Sequence, residues 1–257
     1  AGSVSRWHAL AGFASETRNT LAGILADSGL LLVQTAPGPH TLNAWSALYE
    51  RAQRFGRAGP LVSVAAQLGR VALEVGELPR VATLADELAE LGERREWPDV
   101  AALGSALHAA AFAAAGDSPA AARAARDALA AVMVEEARHG HVAAIAVRAW
   151  AQVEDAGEAA KWLVADCFPP TPPYDAEGLR QSCLALAWQR SRPDDAVDAA
   201  RLAVSRPLHS VSGGAWVRID ASGVLRRLGH PIEAAAAVKG LEALLKSNGL
   251  TGLSERL

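Results

Sequence analysis

The stretch "AAAGDSPAAARAARDALAA" (113–131) decides the fold, because it is either low-complexity filler or one copy of a repeated unit. Its relatives are "EVGELPRVATLADELAEL" (74–91), "RSRPDDAVDAARLAVSRP" (190–207) and "RLGHPIEAAAAVKGLEAL" (227–244). In each, one apolar-periodic segment ends at a Gly or polar break, a Pro follows closely, and a second segment carries small residues at helical spacing. The breaks fall at Gly76, Gly116, Asp155 to Gly157, Ser191 and Gly229, with "VQTAPGPHTLNAWSALYERA" (33–52) and its Gly38 as a degenerate earlier copy. They recur at intervals of 35 to 41 residues, so the stretch is a repeat unit.

The punctuation has a physical cause. Glycine past a helix end adopts the left-handed conformation that terminates it, and proline is tolerated in the first turn of the next helix. Glu77, Asp117, Asp194, Asp195 and Glu233 stand where the positive end of a helix dipole favours acids. Helices are predicted near 4–15, 18–33, 41–56, 60–76, 79–94, 98–115, 118–138, 141–155, 158–167, 176–190, 193–205, 213–228 and 231–247.

Composition agrees. Hydrophobic residues make up 51% of the chain, dominated by Ala, Leu and Val, with seven Trp, four Phe and two Tyr. Alanine is the strongest helix former, whereas a β-rich chain would use more aromatic and β-branched residues. The expected class is all-α. A net charge of −3 with both signs interspersed offers no basic block for nucleic acid and no acidic tail for a basic partner. The most apolar stretches, 20–35 and 100–116, are too broken or too alanine-rich for a membrane span. Two cysteines, Cys167 and Cys183, make no disulfide framework, and no leader pattern opens the chain, so a cytoplasmic protein is expected.

The unit resembles the tetratricopeptide repeat (TPR). Leu68 and Gly69 match its helix A pair, and Gly76 and Gly116 match its turn. Ala121, Ala128 and Leu129 match helix B of one unit; Ala196, Ala203 and Pro207 match that of another. The resemblance covers roughly 36–248, with a period of about 38 where about 34 is usual and alanine at most aromatic positions. It implies one domain: a right-handed superhelix of five to six stacked antiparallel helix pairs. Longer units of this sort are similar to the helical sensor regions of MalT/LuxR-type bacterial transcriptional regulators. "CFPPTPPYD" (167–175), with four prolines in five residues, cannot be helical and is read as a stiff connector. It is either a joint between sub-solenoids 36–167 and 176–248 or an insertion on the convex side.

The register of that family turns certain helix A residues to the concave side. Those chosen as a binding groove are Arg70, Glu74, Leu103, Gln181, Trp188, Gln189, Trp216, Arg226 and Arg227, with Ala106, Ala110, Ile145 and Gln152 between them. Trp and Arg are common binding anchors, but Trp188 and Trp216 could equally fill space between small neighbours. Trp45, Trp150 and Trp162 are assigned to the core. The implied function is a non-catalytic scaffold that binds a peptide, a partner protein or other domains of a regulator. The alternative is a sensor with a small apolar or amphipathic effector in the same groove.

Other constellations carry less. "DDAVD" (194–198) imitates an aspartate-rich Mg²⁺ motif, but it has no companion motif and reads as helix-start acids. "EEARHGH" places Glu135 and His139 one turn apart with His141 beyond, a weak zinc pattern that Gly140 would interrupt. His108 among alanines is read as a packed, satisfied histidine. Gly213 and Gly214 lack the strand of a phosphate loop and are read as a helix–helix turn. No enzyme activity, metal or cofactor is expected.

Overall fold

The computed structural model describes residues 2–34, 39–134, 140–163, 176–206, 211–250 and 253. Described residues are helical almost throughout and include no strand. The helices are α1 (Gly2–Thr17), α2 (Thr20–Gln34), α3 (Pro39–Phe55), α4 (Ala58–Val75), α5 (Leu78–Arg95), α6 (Pro98–Ala115), α7 (Ser118–Val134) and α8 (Gly140–Val153). A 3₁₀ turn, Gly157–Trp162, follows. Then come α9 (Ala176–Trp188), α10 (Pro193–Ser205), α11 (Val211–Arg227), α12 (Pro231–Ala237) and α13 (Leu241–Ser247). The proline-rich connector 167–175, Cys167, Glu135, His139 and Pro207 lie outside the described residues, as does the side chain of His141.

The punctuation works as the sequence implies. Gly76 and Gly116 cap α4 and α6 at φ of 82° and 79°, each donating its N–H back to the closing turn. Pro79, Pro98, Pro193 and Pro231 stand in the first turns of α5, α6, α10 and α12. Asp117 accepts the Ala120 N–H at 3.2 Å, and Asp194 and Asp195 occupy the first turn of α10. Four local readings differ. Of the helix expected over 158–167, the described part forms a short 3₁₀ turn. The helix expected over 231–247 divides at Gly240, whose φ is 77°. Gly140 opens α8 instead of closing the helix before it, and Gly213 and Gly214 belong to the first turn of α11.

Helices pack in neighbouring pairs, and every second helix also meets its counterpart in the next pair. Helices α2, α4, α6, α8, α9 and α11 thereby form one row in which each touches the next, with α3, α5, α7, α10 and α12 packed against it. Small side chains make this close approach feasible. A Cβ on Gly104 of α6 would stand 2.8 Å from the backbone nitrogen of Ala89 in α5, so only glycine fits there. The core is one continuous apolar cluster along the row, including Leu68, Leu103, Leu107, Trp150 and Leu225. Trp45 and Trp150 are buried and Trp162 packs partly against the core, as assigned.

Candidate functional site

The expected groove residues sort into three groups. Arg70, Glu74 and Trp216 come together in the interior of the row. Gln189 and Arg227 line a second, larger groove. Leu103 is core, Gln181 donates to Glu177 at 2.7 Å, and Arg226 is exposed near the end of α11. Trp188 is half-buried against the core beneath the Arg192 guanidinium, 4.7 Å from its ring centre.

The interior group is a network of charges taken from three helices. Arg70 and Glu74 are one turn apart on α4, and Arg70 Nη1 donates to Glu74 Oε1 at 2.6 Å. The indole Nε1–H of Trp216, on α11, donates to the same oxygen at 2.7 Å. Helices α4 and α11 are separated in the row by α6, α8 and α9, so the row curves back far enough for them to meet. Glu74 is wholly buried, and its Oε2 has no hydrogen-bond partner. Burial pushes its carboxyl above the ordinary range, against the opposing effects of Arg70, the Trp216 indole and Arg148. A proton on this group would therefore sit on Oε2, leaving Oε1 to accept both donors.

Arg148 of α8 extends the network. Its guanidinium lies 4.7 Å from the centre of the Trp216 ring and its Nε donates to Asp220 Oδ2, one turn beyond Trp216 on α11. Both members of this ion pair are 8% exposed. Beside it is a small cavity lined by Ala66, Arg70, Ala110, Ile145, Gln152 and Trp216 among others, with room of about 30 Å³. That is enough to admit a water molecule. Trp216, 4% exposed, closes this part of the interior.

The larger groove shares Arg148 and Gln152 with this cavity and holds about 660 Å³ between α8, α9 and α11. Ala151, Leu186, Ile219 and Leu228 supply apolar wall; Gln152, Gln189, Arg190, Asp220 and Arg227 supply polar groups. Gln189 and Arg190 sit in the turn that ends α9. The Gln189 Nε2 donates to the backbone oxygen of Ala151 at 3.3 Å, which fixes the amide orientation and leaves its buried Oε1 without a partner. Arg227 folds over Gly223, its guanidinium nitrogens 3.6 Å from where a Cβ would stand.

Arg148, Asp220 and Arg190 escaped the sequence reading. Asp220 follows Trp216 by four residues and so shares its helix face, a signal that "AWVRID" does contain. Arg148 lies between Ile145 and Gln152 on the face that the register singles out, and Arg190 is masked by its place in a turn.

Elsewhere, His108 is satisfied as expected, with Nε2 2.8 Å from Asp86 Oδ1 and its ring stacked on Phe112. Asp195 of the "DDAVD" stretch pairs with Arg192. Cys183 is buried, its thiol pushed up to about 12 chiefly by desolvation. Among the described residues no group of three or more metal-ligating side chains converges, and no helix is long and apolar enough to cross a membrane. Compared with protein-family models, curated proteins and solved structures, the chain matches none.

Proposed function

We propose that this chain is a non-catalytic helical-repeat module that senses a small amphipathic effector in the groove between α8, α9 and α11. The observation that carries this reading is the groove itself. Its 660 Å³ falls within the range of small-molecule sites, and its lining joins apolar wall to a few placed polar groups. The adjoining network ties α4 to α11, so occupancy of the groove would be felt by helices far apart in sequence. In this reading the row of helices is the inner layer of a TPR-like right-handed superhelix. The module is cytoplasmic and reports its occupancy to other parts of a larger regulator, as the resemblance to MalT/LuxR-type sensor regions implies.

A second reading is a scaffold for a peptide or protein partner, favoured by the exposure of Arg190 and Arg227 at the groove rim. A thermal-shift screen of small amphipathic molecules, followed by mapping of backbone amide shifts, separates the two. The effector reading expects stabilising compounds whose shifts concentrate in α8, α9 and α11. No stabilising compound, together with a peptide that maps to the same helices, would replace it with the scaffold. Shifts confined to α5, α7, α10 and α12 would overturn both.

A further inference from the structure

The effector reading leaves the chemistry of the ligand open, and the charges around the groove narrow it. Asp220 is the one acidic residue among the described residues lining it, and it is engaged by Arg148. Arg190 and Arg227 also line the groove, and neither has an ion-pair or hydrogen-bond partner among the described residues. The two guanidiniums repel each other. Burial around Arg227 lowers its pKa, the attraction of Asp220 opposes this, and the charge of Arg190 lowers it further. Three guanidiniums, of Arg148, Arg190 and Arg227, thus share one groove-lining carboxylate, and such an excess of positive charge favours an anion. Leu186, Ile219 and Leu228 provide the surface for an apolar body.

Resting on the effector reading, we infer that the groove takes an amphipathic anion. Its anionic group lies between Arg190 and Arg227, and its apolar portion lies on Leu186, Ile219 and Leu228. What the site recognises is negative charge with oxygen acceptors that match a guanidinium, as a carboxylate or a phosphate supplies. A neutral ligand of the same shape would leave the arginine pair uncompensated, and a cationic one would be repelled.

The test uses the full chain and three probes of equal acyl length: N-octanoylglycine, its methyl ester and N-octanoylaminomethylphosphonate. The expected result is saturable, salt-sensitive binding of the carboxylate and the phosphonate, followed by calorimetry and by the Gln189 side-chain amide signal. The ester, which lacks the charge, should bind at least about tenfold more weakly. Arg190→Gln with Arg227→Gln should reduce binding of N-octanoylglycine to the level of its ester while leaving the melting temperature within a degree or so of the parent, since both side chains are exposed. Equal binding of acid and ester at α8, α9 and α11 would overturn the anion assignment and leave the effector reading standing. Failure of all three probes to perturb those helices would overturn both.

Discussion

Trp216 Nε1–H donates to Glu74 Oε1 at 2.7 Å, joining residues 142 apart in sequence and helices at separate points of the row. Both partners are buried, so the bond cannot be exchanged for one to water when it is lost. Trp216→Phe keeps the apolar body and removes the donor. It should destabilise the protein by about 1–3 kcal/mol, the cost of leaving a buried acceptor less satisfied. Chemical denaturation of the variant beside the parent measures this. An unchanged midpoint would mean that the α4–α11 contact contributes nothing to the folded state.

Glu74 makes stability depend on pH in an unusual direction. Its carboxyl is raised in the folded chain, so between the ordinary carboxylate pKa and the folded value the native state holds more protons than the unfolded one. Stability from this group is fully present below the unfolded pKa and is lost as pH rises through the folded pKa. Glu74→Gln removes that titration. The stability of the parent relative to the variant should therefore fall as pH rises above the ordinary carboxylate range, then level off. Denaturation midpoints of both proteins across the acid-to-neutral range test the sign, and a difference that grows with pH contradicts it.

The Arg148–Asp220 pair is buried on both sides, and breaking it differs from replacing it. Asp220→Ala should cost about 3–5 kcal/mol because it removes the carboxylate to which the buried Arg148 Nε donates. Arg148→Met combined with Asp220→Leu should cost much less, since neither charge is then stranded. A double-mutant cycle from urea denaturation gives the comparison. Equal losses for the single and the double variant would mean that the pair is effectively solvated.

Gly116 closes α6 at a φ of 79°, where a β-branched residue is strained whatever space surrounds it. Gly116→Val should lower stability by about 1–2 kcal/mol without loss of helix content. Circular dichroism during thermal unfolding reads both quantities, and an unchanged melt would place the turn elsewhere.

The helices and their ends were legible because glycine caps, first-turn prolines and helix-start acids are local signals. The break at Glu96 was less so: it has a φ of 55°, the conformation glycine favours, with no glycine to announce it. Gly240 was missed because "KGLEALL" continues the apolar periodicity on either side of the break. Helix register singled out Arg70, Glu74 and Trp216, which meet in the interior, and Gln189 and Arg227, which line the larger groove. Their mutual arrangement was not. Arg148 and Asp220 are 72 residues apart, and nothing in either neighbourhood states that α8 and α11 bring them together. Long-range pairing is a product of how the helices stack, and a single sequence records each face without recording what meets it.

In the proposed effector reading, α8, α9 and α11 form the ligand surface and α4 is coupled to it through Trp216. Hydrogen–deuterium exchange of the full chain, with and without saturating N-octanoylglycine, tests this most directly. Slower exchange is predicted over 144–152, 179–190 and 216–227, accompanied by slower exchange over 66–75 in α4, which does not line the large groove. The α4 effect should disappear in Trp216→Phe while protection of the groove helices persists. Protection confined to α5, α7, α10 and α12, or no protection anywhere, would contradict the account.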